Sequence, residues 1–400
     1  MARGGPPRRP GHPRDHQLRR RPRRGPRRRR APGPTCAPSA AVTAGAGSGT
    51  DPKALSARLW TAVVARDEPA AVRMVTEAAD AGADEETLLL DVVAGVQHRV
   101  GEEWAADRIS VAEEHAASAI TDRVVAALAH RRPMPSGPHE RGRITVACVD
   151  GEWHFLPARL LAEVLVRRGW RVDFLGARTS TAHLVAHVHR TNPDAVLLSA
   201  SIPTHLPAAH KAVTAVQSVG VPVMVGGAAF GPDGRYARLI QADVWAPDAR
   251  AAADRLARGV TAPRTDRRHR ADGLPHLADQ EYTLVKGSRT TLVRQCVGDL
   301  DERWPAMRSY TAAQRERTAE DLAHIVDFLA TALYVDDADL FTTFITWSAG
   351  ILTARRVPAH SLRLGLGILA ERLHDLPRAL TFLRTAVDAL PEPPAHRQRR

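Results

Sequence analysis

Between residues 142 and 262 the apolar pattern switches repeatedly between a period of two and the helical period, and no other feature of the chain restricts its fold as much. Short β-branched runs at Ile144 to Val149, Arg171 to Leu175, Ala195 to Ser199, Val221 to Val225 and Asp243 to Trp245 are each followed by a helical segment. Parallel strands need a crossover of a dozen or more residues, and helices in that role cover both faces of the sheet. The pattern therefore predicts an α/β domain with a doubly wound, five-stranded parallel sheet. In such a sheet ligands lie outside the carboxyl ends of the strands, so the loop after each strand is the place to seek chemistry.

On either side the pattern is helical throughout. Over residues 51–132, Leu55, Leu59 and Val63 share one face, Val72, Val75 and Ala79 the next, and Gly82 suits a helix end. Leu88, Leu89, Val92, Val93, Val96 and Val100 then repeat at three and four. Ser110 with Glu113 three residues on reads as a capped start for a run through Ile120, Val124, Val125 and Leu128. Four such helices make a cap bundle in front of the sheet. Arg131 to Pro138, rich in Pro and Gly, reads as a linker, and Thr261 to Leu274 as a second. Residues 279–390 form a C-terminal all-α domain. Its apolar spacing runs through Leu322, Ile325, Val326, Phe328, Leu329 and Leu333, then Leu340, Phe341, Phe344, Ile345 and Trp347, then Leu362, Leu364, Leu366, Leu369 and Leu373. The expected architecture is thus a four-helix cap, a flavodoxin-like α/β domain and a helical domain whose role the pattern leaves open.

Charge contributes less than it first suggests. Residues 1–32 hold 13 arginines and one acid, Asp15, which accounts for the whole net charge of +12. The rest of the chain is balanced, so its basicity does not argue for a nucleic-acid partner, and direct DNA binding without the tail is not expected. Residues 1–50 lack large apolar side chains and read as disordered; an upstream translation start, a nucleic-acid-binding tail and an organelle transit peptide all fit that composition. Cys36, Cys148 and Cys296 form neither a disulfide framework nor a CxxC pair, which favours a reducing, cytoplasmic setting. No apolar run is long enough to span a bilayer. A Walker loop, a GxGxxG after a strand and a GxSxG elbow are all lacking.

The residues that can carry chemistry lie in four places. After the first strand comes Asp150-Gly151-Glu152-Trp153-His154-Phe155-Leu156-Pro157, where an imidazole could bind a metal through Nε2 while an acid orients it through Nδ1. A surface His beside a Glu would read the same way. After the third strand stands Ser199-Ala200-Ser201, and after the fourth Gly226-Gly227, which removes side chains where a ligand needs close backbone approach. Each of these also fits an ordinary turn or helix cap. In the bundle, Trp104 is followed after nine residues by Glu114-His115, and this set fits both a binding surface and a core Trp beside a solvated helix face. His183, His187 and His189 on the helix after the second strand read as solvated, since no acid or cysteine completes a metal set.

Taken together, the helical bundle, the five-stranded α/β domain, E-x-H at Glu152 and His154, S-x-S at Ser199 and Ser201, and Gly226-Gly227 resemble the cobalamin-binding modules of methionine synthase, corrinoid methyl carriers and B12-dependent transcription regulators. The spacing of Trp104, Glu114 and His115 is similar to the cap of light-sensing regulators that hold adenosylcobalamin. The resemblance covers residues 53–262. It implies adenosylcobalamin or methylcobalamin as cofactor, with His154 as lower axial ligand to cobalt and Glu152 as its partner. It further implies Ser199, Ser201, Gly226 and Gly227 along the slot for the cofactor's nucleotide tail, and Trp104 over the upper face. His115 would be a replacement upper ligand, with Glu114 shaping the same pocket. One position departs from the family pattern: Pro157 stands where a glycine usually follows. Proline is suited to a first helical turn, but it favours an extended Leu156 and removes an N–H from the loop.

Two functions follow from the resemblance. In one, the chain is a cobalamin-based sensor of light or B12 that signals through cap and sheet to a protein partner or a homo-oligomer. In the other it is a corrinoid subunit that carries methyl groups for a methyltransferase, a role for which the C-terminal helices are superfluous. A cobalamin-free, receiver-like interaction module is the third reading.

Overall fold

The computed structural model describes residues 51–131, 141–260, 274–358 and 360–391. The Arg-rich tail and Cys36, and nearly all of the two linkers, lie outside these residues.

Local signals start and stop the first helices. Helix α1 (Pro52–Val64) begins where the Asp51 carboxylate accepts the Lys53 N–H, and α2 (Glu68–Asp80) where Asp67 accepts that of Ala70. Gly82, with φ +88°, turns the chain after α2. The third helix, α3, starts as Glu85–Thr87, passes through a π-helical stretch at Leu88–Val93 and continues as Ala94–Ala105. Helix α4 (Val111–His130) opens on a complete capping box, in which Ser110 and Glu113 each satisfy the other's backbone N–H.

Strands β1 (Arg143–Cys148), β2 (Arg171–Gly176), β3 (Ala195–Ser199), β4 (Val223–Gly226) and β5 (Val244–Ala246) pair in parallel in the order β2-β1-β3-β4-β5. They alternate with α5 (Leu156–Arg167), α6 (Thr181–Thr191), α7 (Leu206–Ser218) and α8 (Arg235–Leu239), and α9 (Ala249–Ala257) follows β5. The order reverses between β1 and β3, so the crevice at their carboxyl ends is the topological switch point. Helix α5 starts at Leu156, not after it. Pro157 falls in the first turn, where its missing N–H would have had no acceptor within the helix, so the expected extended Leu156 does not occur.

Side-chain alternation along the strands feeds two cores. Ile144, Val146, Leu197 and Met224 pack with the cap helices, α5 and α9, whereas Ala147, Val149, Val196, Leu198 and Val225 pack on the opposite face with α7. Ion pairs tie the cap to the first of these layers: Arg167 to Glu85 at 2.7 Å, Arg168 to Glu86 at 2.8 Å, and Arg250 to both Asp91 oxygens at 3.0 and 2.7 Å.

The C-terminal helices are α10 (Glu281–Arg303), α11 (Ala312–Val335), α12 (Ala338–Ala354), α13 (His360–Arg372) and α14 (Pro377–Asp388). They share the second core instead of forming a detached module: Leu329, Leu333 and Phe341 belong to the same apolar cluster as Leu198 and Val213. Polar contacts fix the junction. The Tyr236 hydroxyl donates to Asp337 at 2.7 Å, Arg235 pairs with the same carboxylate at 3.0 Å, and Tyr334 shares a 2.7 Å hydrogen bond with His210. One apolar position departs from expectation: Trp347 is half exposed, and its ring turns toward the cap. Among the described residues no helix is long and apolar enough to cross a membrane.

Candidate functional site

The loop after β1 is built around one buried carboxylate. Glu152 is fully buried, and its Oε1 accepts the His154 backbone N–H at 2.9 Å and lies 2.6 Å from His154 Nδ1. Its Oε2 accepts the N–H groups of Ser201 at 2.7 Å and Ile202 at 3.2 Å, from the loop after β3. Burial alone would push the Glu152 carboxyl up, but the hydrogen bonds from His154 and Ser201 and the imidazole charge hold it down at about 2. The Glu152 carboxylate accepts from Nδ1–H of His154, which leaves Nε2 with no partner among the described residues. Beneath the loop, burial and the neighbouring Glu152 push the Cys148 thiol up to about 12, so it stays a neutral thiol.

The two small-residue motifs meet across the switch point. Gly227 has φ +101°, and a Cβ there would come 2.3 Å from the Ala200 carbonyl oxygen. The glycine is thus required by the protein's own backbone: the loops after β3 and β4 touch, with the Ala200 N–H donating to Gly226 O and the Ala229 N–H to Ala200 O, both at 3.1 Å. Beside them runs an open slot walled by Ser199, Gly226, Gly227, Pro157, Leu161 and Asp248. Ser199 faces this slot, whereas Ser201 contributes its backbone N–H to Glu152.

On the cap side, Glu114 accepts from Ser118 Oγ at 2.7 Å and lies 3.0 Å from His115 Nδ1. The same Nδ1 donates to the Val111 carbonyl at 2.7 Å, one turn back in α4. The His115 side chain is 60% exposed, and its ring stacks on Trp153 with centroids 6.3 Å apart. Trp153 in turn lies 3.8 Å from the His154 ring, so one indole bridges the cap imidazole and the sheet imidazole. Trp104 makes its ring contacts elsewhere, with Trp347 at 6.3 Å and with the Arg355 guanidinium at 5.2 Å, while Arg355 also pairs with Asp107 at 3.6 Å.

Three participants are not marked as site residues by the sequence pattern. Trp153 stands between the two residues of the E-x-H motif and could have been noticed there. His205 packs against Gly151, where a Cβ would come 3.2 Å from its Nδ1, and burial lowers its pKa. Trp347 lies more than two hundred residues from Trp104, and no local signal connects them. The histidines on α6 need a correction. His187 is not solvated: its Nε2 lies 3.1 Å from Asp173 of β2, and only 13% of its side chain is exposed. No group of three or more His, Cys, Asp or Glu suited to a metal occurs among the described residues.

Residues 142–257 match the family model described as B12 binding domain, and residues 55–129 match a second B12 binding domain model, which covers the cap. Over 93 residues, 23% of this chain and 31% of the relative, the sequence is 40% identical to the HTH-type transcriptional repressor CarA of Myxococcus xanthus. Over 142 residues, 35% of this chain and 46% of the relative, it is 32% identical to the repressor CarH of the same organism. The chain thus spans less than half the length of these curated relatives. Among solved structures, the monomethylamine corrinoid protein of Methanosarcina barkeri aligns with a TM-score of 0.45 and 20% identity, over 50% of this chain and 96% of that one. A cobalamin-binding protein from Desulfitobacterium hafniense aligns with a TM-score of 0.30 and 22% identity, over 52% and 98%.

Proposed function

We propose that this chain, which carries a B12-binding cap and a B12-binding α/β domain, is a cobalamin-dependent regulator whose C-terminal helices read the state of the cap. The observation that carries the proposal is the seat of Trp104: the cap residue assigned to the upper face of the cofactor is held by Trp347 and Arg355 of the C-terminal helices. A methyl carrier has no use for such a contact, and the two curated relatives are transcriptional repressors.

The residues present fit the cofactor. His154 Nε2 has no partner among the described residues and is an imidazole nitrogen of the kind cobalt accepts, and the Glu152 contact at Nδ1 orients the ring. The slot beside Ser199, Gly226 and Gly227 suits a nucleotide tail, and Ser201 supports the loop from behind. His115 Nε2 and Glu114 lie on the cap side, with the Trp153 indole between the two imidazoles. When bound, cobalamin supplies a cobalt centre whose upper organic ligand can be lost. The chain's own part is to orient His154, to hold Trp104 against the C-terminal helices, and to keep His115 free to move.

The test is to load the full chain with adenosylcobalamin in the dark and record its absorption spectrum and oligomeric state before and after green light. A light-driven spectral change that disappears in His115→Ala, with a change of oligomer that Trp347→Ala blunts, is the expected result. No light response, together with methyl transfer when methylcobalamin and a methyltransferase are supplied, would turn the assignment to the carrier. Failure to retain any corrinoid would overturn both.

A further inference from the structure

Glu152 restrains only part of the His154 ring. Its Oε1 lies 2.6 Å from Nδ1, at one edge of the imidazole, and a carboxylate accepts over a broad range of directions, so this contact alone leaves the plane of the ring loosely defined. The face of the ring is covered by its neighbour. The Trp153 indole lies over it with centroids 3.8 Å apart and planes 32° from one another, closer than edge-on aromatic contacts allow, so the two rings meet face to face. The backbone sets up this contact: the Phe155 N–H donates to the Trp153 carbonyl at 2.9 Å and closes a three-residue turn with His154 at its centre. Behind the turn, the Glu152 N–H donates to Val149 O at 2.9 Å, and His205 packs against Gly151. The indole has no other evident task. Trp153 is half exposed, belongs to neither apolar core and makes no side-chain hydrogen bond among the described residues, so its directed contacts are the rings of His154 and His115.

We propose that Trp153 is a positioning residue for His154: its indole face sets the plane of the imidazole, as Glu152 sets its edge, and the two together fix the direction of Nε2. This role rests on the reading of His154 as the cobalt ligand. A ring restrained at one edge and one face presents Nε2 along a single line, which is what holding a metal at that nitrogen requires. The indole acts through His154 and not on the cofactor, so its effect disappears when the imidazole is removed.

The experiment is a double-mutant cycle on the full chain, titrated with cobinamide, a corrinoid without a lower base, and read by absorption. Trp153→Ala is expected to lower affinity about five-fold in the otherwise unchanged chain and to have no effect beside His154→Ala. Trp153→Phe, which keeps a flat face, should restore most of the loss, whereas Trp153→Leu should not. Histidine ring NMR on the corrinoid-free chain gives a second readout: the His154 ring protons should resonate upfield under the indole and move downfield in Trp153→Ala and Trp153→Leu. An equal loss of affinity in both backgrounds would make the indole a direct contact of the corrinoid and overturn the proposal. Unchanged affinity in Trp153→Ala, or His154 resonances that do not respond to it, would also overturn it while leaving the cobalamin reading intact. If the unsubstituted chain takes up no cobinamide, the cobalamin reading falls and the positioning role falls with it.

Discussion

His154 and His115 present the same pair of atoms in opposite settings. In each ring Nδ1 is engaged and Nε2 has no partner among the described residues, yet His154 is held by a buried carboxylate and His115 by a carbonyl of its own exposed helix. Four hydrogen bonds, two from another loop, fix Glu152 and through it the first ring. The second ring is free to change rotamer at little cost, since exposed side chains flip on fast timescales. A permanent ligand needs the first arrangement, and a ligand that waits for a vacancy needs the second.

The strongest way to break the comparison is to remove each imidazole in turn. His154→Ala should weaken cobalamin binding about a hundred-fold and give a base-on spectrum, whereas His115→Ala should leave dark-state affinity within about two-fold, both read by spectral titration. Acid comes next. The Glu152 carboxyl lies at about 2 in the folded chain against an ordinary 4.5, so the stability it contributes is fully present above pH 4.5 and is lost as pH falls toward 2. The loss should approach about 3 kcal/mol in urea unfolding and should be missing from Glu152→Gln. Gly227→Ala attacks the same loop from beneath, because its Cβ would strike the Ala200 carbonyl. It should cost about 2 kcal/mol and lower cobalamin affinity by displacing the N–H of Ser201. The smallest effect sharpens the contrast: His115→Ala should change unfolding stability by less than about 0.5 kcal/mol, since it removes one bond on an exposed helix face.

Much of this arrangement is legible from local pattern. The Ser110 and Glu113 capping box is a signal three residues long, and it occurs in the structure as read. The alternation of Ile144, Val146, Leu197 and Leu198 between two cores follows from the period of a strand. The E-x-H motif places an acid beside an imidazole, and that contact spans two residues. Legibility fails where the partner is remote or where a general preference meets a special position. Proline before a helix suggested an extended Leu156, but at the first turn its missing N–H costs nothing and the helix simply begins there.

The sequence by itself determined the order of helices and strands, the parallel sheet and the loops in which the site residues lie, because periodicity, caps and crossovers act over a few residues at a time. Only the tertiary structure decided what those residues touch. Glu152 receives the N–H of Ser201 from a loop 49 residues away, and His187 folds back onto Asp173 of the strand before its helix. Gly227 is required by Ala200, and Trp104 turns to Trp347 in the C-terminal helices. The physical reason is the same in each case. Two segments that pack together need only complementary surfaces, and the chain between them carries no pattern that records the meeting.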